Sequence, residues 1–146
     1  MNFESLFQLV NTAILPAWLL LFFLPHWKYT QKTIHAIWIP CILGIFYAYL
    51  IFSSNEALPA DANLTTLSGI MSMLSDPQAF LASWIHYIIF DLFVGAWIVR
   101  DAKRTEIKHL LIVPCLIFTL MLGPLGLTLY LLLKAGLKQK TSLIEE

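Results

Sequence analysis

SWIHYIIFDLFVGAWIVRD, residues 83–101, is an apolar stretch of helical length with one carboxylate near its middle. Asp91 follows Ile88, Ile89 and Phe90 and precedes Leu92, Phe93 and Val94, and His86 lies one and a half turns earlier. In water such a segment is a core helix with an unexplained acid. In hydrocarbon it is a membrane span whose acid must face protein. Which solvent applies decides the fold.

The composition answers this. Of 146 residues, 59% are hydrophobic, 14% aromatic and 12% charged, and the mean hydropathy is +0.76. A soluble domain is about a quarter charged. The charges also cluster, leaving four long uncharged or nearly uncharged runs: Ser5–Trp27, Thr33–Asn55, Pro77–Val99 (interrupted only by Asp91) and His109–Leu133. About 20 helical residues cross the ~30 Å hydrocarbon layer. The expectation is a single all-α domain over 1–146, an integral membrane four-helix bundle with spans near 5–26, 34–53, 77–101 and 107–134.

The first run lacks the basic start and small-residue cleavage site of a signal peptide, because its first basic side chain is Lys28. Cys41 and Cys115 fall inside helices with no metal-ligand spacing. Neither a metal nor a cofactor is expected, nor a nucleic-acid partner; the bilayer is the expected partner, and no feature fixes the oligomeric state. Loop one carries Lys28 and Lys32, and loop three carries Arg100, Lys103, Arg104 and Lys108. Loop two has only Glu56, Asp61 and Asp76. Basic loops favour the cytoplasmic side, so loops one and three are expected there, with loop two and both termini outside. Lys134, Lys138 and Lys140 in the tail argue the other way.

Within loop two, Leu64, Leu67, Met71 and Leu74 recur at helical spacing. They predict a short amphipathic helix over about 64–74, lying in the interface. Asp76-Pro77 reads as an N-cap followed by proline at the first helical position.

Small residues mark where helices approach closely in lipid. Cys115, Thr119, Gly123, Gly126 and Tyr130 form one stripe along the fourth run, with Pro124 bending it. Pro40, Gly44 and Tyr47 share a face of the second, and Asn11, Leu15, Trp18 and Phe22 a face of the first, where Pro16 is a kink. Trp84, Ile88, Asp91 and Gly95 share a face of the third. Packing explains these stripes without any ligand.

Asp91 is the sharper signal. A mid-helix aspartate costs about 2.5–3.5 kcal/mol on insertion scales, and its side chain is too short to reach an interface. Either it is clasped by Thr119, Tyr47 or Asn11, or it is a desolvated acid able to donate a proton. His86 is either an interfacial ring or a second catalytic group. Five helical residues turn the two side chains about 140° apart, which argues against one simple pocket. By depth, Asn11, Tyr47, Tyr49, His86 and Tyr130 fall in the outer half of the layer, with Asp91 and Thr119 near the middle. They would line a cavity opening outward with Asp91 at its floor. His26, Arg100, Asp101, Glu106 and His109 form an inner-rim polar cluster that reads as a solvated loop.

The strings LPAWLLLFFLP (15–25), IPCILGIFYAYL (39–50), SWIHYIIFDLF (83–93), EIKH (106–109) and GPLG (123–126) resemble the neoxanthin-synthase-like family of small four-helix membrane proteins, named for an abscisic-acid deficiency. The likeness covers nearly all of residues 5–135 in order. It implies action on a carotenoid or related isoprenoid, by isomerisation of an epoxide to an allene. That chemistry needs an acid at the epoxide oxygen and a base for a carbon-bound proton, with no net redox change. Asp91 and His86 are the expected catalytic pair. Asn11, Trp18, Tyr47, Trp84, Thr119, Gly123 and Tyr130 are the expected substrate-binding residues, and Asp101, Glu106 and His109 the inner-rim cluster. Without a visible transit peptide, the chain is expected in a bacterial inner membrane. The alternative is a non-catalytic lipid- or pigment-binding or assembly protein. A transporter ranks last, since there is one intramembrane acid and no repeat. Di-iron chemistry is disfavoured because His26, His35, His86 and His109 show no ligand spacing.

Overall fold

A computed structural model describes residues 2–36, 38–53 and 59–138. Among these the chain is all-α, with helices α1 (Phe3–Phe23), α2 (Lys28–Thr33), α3 (Trp38–Phe52), α4 (Leu67–Met73), α5 (Pro77–Arg104), α6 (His109–Leu122) and α7 (Pro124–Lys138). Two of them, α1 and α5, are long and apolar enough to cross a membrane; α3, α6 and α7 are shorter apolar helices. Packing divides the chain into two compact units: Met1–Leu15 with Ile37–Ile89, and Pro16–Ala36 with Phe90–Glu146. Both α1 and α5 contribute residues to each.

In the first unit, helix starts follow from capping chemistry. The Asp76 carboxylate accepts from the Ala79 amide at 2.7 Å, with Pro77 at the first helical position, so α5 begins where the Asp-Pro pair predicts. Thr66 caps α4 by accepting from the Gly69 amide at 3.1 Å, and the Asn63 side-chain oxygen accepts from the Thr65 and Thr66 amides. Gln78 donates to the Leu50 carbonyl at 2.6 Å, joining the start of α5 to the end of α3. Leu81, Ala82, Ile85 and Ile88 of α5, Val10 and Ile14 of α1 and Leu50 of α3 are buried. A Cβ on Gly44 would meet nothing within 4 Å, so that glycine is not a close-packing position.

The second unit departs from the sequence expectation. The stretch near 107–134, expected as one helix bent at Pro124, is two helices parted at Gly123. Proline at the first position of α7 cannot donate backward to continue α6. The chain then folds back. Gly126 of α7 lies against the Thr119 backbone and hydroxyl and the Cys115 carbonyl of α6. Further along α7, Lys134 Nζ reaches Asp101 Oδ2 of α5 at 2.8 Å. A straight continuation would carry Lys134 about 37 Å from the start of α6. The small-residue stripe is therefore the inner seam of a helical hairpin, and α7 returns to the end of the unit where α6 began.

The end of α5 is built by a Schellman motif. The Ile107 amide donates to the Ala102 carbonyl at 2.8 Å and the Glu106 amide to the Lys103 carbonyl at 3.3 Å. Ile107 and Ala102 are both buried, which supplies the accompanying apolar contact. The position that must be left-handed is occupied by Glu106, with φ 54°. Glycine is favoured there because a Cβ costs about 1–2 kcal/mol in that region.

Two outcomes follow for thermal or denaturant unfolding. Glu106→Gly should stabilise the protein by about 1 kcal/mol; a loss of stability would mean that the Glu106 side chain makes a compensating contact. Gly126→Ala should destabilise by about 1–3 kcal/mol, since the new methyl meets backbone, whereas Gly136→Ala on α7, with open space around it, should be neutral or stabilising by up to about 1 kcal/mol. Equal responses at the two glycines would contradict the hairpin seam.

Candidate functional site

Asp91 is buried, with 8% of its surface exposed. Its carboxylate lies against Gly123, the residue that precedes α7; a Cβ there would run into Oδ1. Glycine at this position is what lets the hairpin tip reach the acid. The first amides of α7 are the positive end of its dipole, where negative charge is stabilised. Thr119 spends its one hydroxyl proton on the Cys115 carbonyl at 2.8 Å, so it does not donate to Asp91.

The opposite end of the hairpin holds a second carboxylate. Asp101 is 2% exposed and accepts from three side chains. Arg104 binds Oδ1 at 2.5 Å, while Lys134 at 2.8 Å and the Tyr130 hydroxyl at 2.5 Å bind Oδ2. Tyr130 and Lys134 are themselves buried, and the Trp97 ring meets Tyr130 edge-on at 5.7 Å between centroids. A buried charge must be paired and hydrogen-bonded to be tolerated; here both oxygens are served. The inner-rim residue expected to be solvated is, among the described residues, the most enclosed acid of the unit. Tyr130, expected in the outer half of the layer, sits beside Asp101 because the hairpin reverses direction. Lys134 reads in the sequence as one of the tail lysines, although its four-residue spacing from Tyr130 puts both on one face of α7.

The other two rim residues separate. Glu106 is exposed and serves as the α5 terminus described above. His109 points its Nε2 at the Phe22 carbonyl, 2.9 Å away. A carbonyl only accepts, so Nε2 carries the proton. His26 lies against it, 6.3 Å between ring centroids, and burial together with the Lys103 charge holds His26 below the usual histidine range. Arg100 Nη1 stands 3.1 Å from His35 Nδ1. The guanidinium can only donate, which leaves the neutral ring its proton on Nε2. Burial, then the neighbouring Arg100 charge, push His35 down to about 4. Among the described residues no group of three or more His, Cys, Asp or Glu could hold a metal ion.

Trp18, expected to line a ligand, is 2% exposed and packs its ring on Gly95. The remaining expected residues lie in the first unit. Asn11 donates to the Phe7 carbonyl at 2.7 Å and accepts from Trp84 Nε1 at 3.1 Å. Phe7 meets the Trp84 ring at 5.4 Å. The exposed His86 ring stands 6.0 Å from Tyr47. Each unit thus gathers its own set: Asn11 with Trp84 and Tyr47 with His86 in one, Asp91 with Gly123 and Asp101 with Tyr130 in the other. His35, Arg104 and Lys134 are the polar partners that the sequence did not single out, while Arg100 belongs to the expected rim cluster and meets His35.

No solved structure matches this chain. A plant protein named Protein ABA DEFICIENT 4, chloroplastic, from Arabidopsis thaliana, is 29% identical over 140 residues, which cover 90% of this chain and 61% of that protein. The chain therefore spans less than two thirds of that relative's length. The relative's chloroplastic address overturns the expectation of a bacterial inner membrane with loops one and three cytoplasmic. Basic loops order the two faces of a membrane but do not say which membrane it is. The family described as ABA DEFICIENT 4-like matches residues 5–130. With most of its length covered by that match, the chain belongs to the ABA DEFICIENT 4-like family.

Proposed function

We propose that this chain is an integral membrane protein that acts on a carotenoid or a related isoprenoid, with Asp91 as the group that moves a proton. The burial of Asp91 in the apolar α5, against the tip of the α6–α7 hairpin, carries the proposal. Family membership supports the substrate class, through the likeness to neoxanthin-synthase-like proteins.

Lengths support the placement. The 21 residues of α1 and the 28 of α5 reach about 31 and 42 Å, enough to cross the hydrocarbon. The 14 residues of α6 and 15 of α7 reach only about 21–22 Å each. The hairpin then enters from the loop-three end and turns back at Gly123. Such re-entrance is tolerated where the turn packs on protein, and here it packs on Asp91. α4 presents Leu67 and Met71 outward, as an interfacial helix does.

The chemistry is an isomerisation. A protonated Asp91 gives its proton to the epoxide oxygen as the carbon–oxygen bond breaks. A base removes a proton from a carbon along the chain, the freed electron pair becomes a double bond, and the epoxide becomes an alcohol beside an allene. The carboxylate left on Asp91 then stands at the positive end of α7. His86 remains the histidine of α5 on the other helix face, about 140° around.

Expression in a host that accumulates epoxy-carotenoids, with pigments compared by chromatography, tests this. Asp91→Asn should lower conversion by about 10²-fold or more while melting and size-exclusion behaviour stay close to the parent. Full activity in Asp91→Asn would remove the proton donor, and pigment retained on the purified protein without turnover would replace the enzyme with a binder. For the placement, Lys108→Cys and Leu137→Cys, each made with Cys41→Ser, should react with an impermeant thiol reagent from the same membrane face. Labelling from opposite faces would mean one straight span and no re-entrant hairpin.

A further inference from the structure

The second unit gathers its exposed cations at one end. Lys28 and Lys32 come from α2, Arg100 and Lys103 from the last turns of α5, and Lys108 from the residue before α6; all five are exposed. The Arg100–His35 contact and the His109–Phe22 and His26–His109 contacts bring these segments together. The depressed His26 and His35 register the same accumulation, since Lys103 acts on both rings and Arg100 on His35.

Among the described residues little negative charge balances it. Asp101 is buried and engaged by Lys134, Tyr130 and Arg104, and Glu106 is the exposed acid of that end. Among the described residues none of the five cations forms an ion pair; Lys28 stands instead over the Tyr29 ring, 5.1 Å from its centre. Lys28 and Lys32 are four residues apart on one helix, a spacing at which like charges repel. α2 is nonetheless fixed there, because Thr30 donates to the Leu24 carbonyl and Gln31 to the Pro25 carbonyl, both at 2.7 Å. Trp27 and Tyr29, 46% and 49% exposed and edge-to-face at 4.7 Å, flank Lys28 just beyond the apolar end of α1.

We infer that this end of the second unit is a docking surface for anionic lipid headgroups. Aromatic rings with an apolar body and a polar tip settle at headgroup level. Unpaired lysines and arginines at that level attract acidic lipid phosphates. Both features lie where an apolar helix ends, so the layer they meet is the headgroup layer of the membrane that α1 and α5 cross. The inference rests on the membrane placement proposed above; it does not depend on the carotenoid chemistry.

The test uses full-length protein in neutral detergent, titrated with dioctanoyl phosphatidylglycerol, dioctanoyl phosphatidylcholine or inorganic phosphate, with bound lipid read by native mass spectrometry. Phosphatidylglycerol should bind at least tenfold more tightly than phosphatidylcholine. The preference should fall by about fivefold per lysine removed and vanish in Lys28→Gln/Lys32→Gln/Lys103→Gln/Lys108→Gln. These four side chains are exposed and take no part in the Asp101 cluster, so the variant should keep its melting temperature. Equal affinity for the two lipids, an undiminished preference in the variant, or displacement of lipid by inorganic phosphate at equal concentration would each overturn the inference. A chain recovered in the soluble fraction of lysed cells would overturn the membrane placement and this inference together. A detergent-extracted chain without lipid preference would overturn this inference alone.

Discussion

The close approach of Gly123 to the Asp91 carboxylate is the contact on which the second unit depends. A carboxylate in an apolar helix needs a polar neighbour that does not itself bring unmet demands. The start of a helix supplies one, because its first amides lack intrahelical acceptors. By turning at Gly123, the chain places such a start beside Asp91, and the absence of a side chain lets it come close. The hairpin and the acid thus each solve a problem the other creates.

The far end of the same hairpin repeats the solution with side chains. Asp101 would be intolerable in its enclosed position without Lys134, Tyr130 and Arg104. Two buried acids on α5, ten residues apart, therefore face two ends of one folded-back segment. The acid at the open end has both oxygens committed to protein donors. The acid at the tip packs against the backbone turn at Gly123.

Much of this was legible in the sequence. The all-α class followed from the uncharged runs, the start of α5 from Asp76-Pro77, and the burial of Asp91 from the cost of exposing it. The family followed from strings such as SWIHYIIFDLF and GPLG. The reversal at Gly123 was not legible, because 25 uncharged residues satisfy one long span and two short helices equally well. A stripe of small residues looks the same whether it faces a neighbour or folds onto itself. Lys134 was hidden by its place near a basic tail, and its partner Asp101 by its place near a basic loop. Glu106 gave no sign of its left-handed backbone, since glycine is the residue that ordinarily marks such a position. Compartment is absent from the sequence reading for a different reason: no packing or solvation rule encodes it.

The bond between Lys134 and Asp101 spans 33 positions of chain, and this sets an order on assembly. As synthesis proceeds, the acid emerges long before the lysine, and until α7 is complete it has only Arg104 nearby on its own helix. Enclosing it earlier would strand a charge, so the burial of Asp101 and the docking of α7 belong together. Lys134 also lies beyond residue 130, where the family match ends. A chain cut there would keep every recognisable string yet lose Lys134, and with it a bond that closes α7 onto α5.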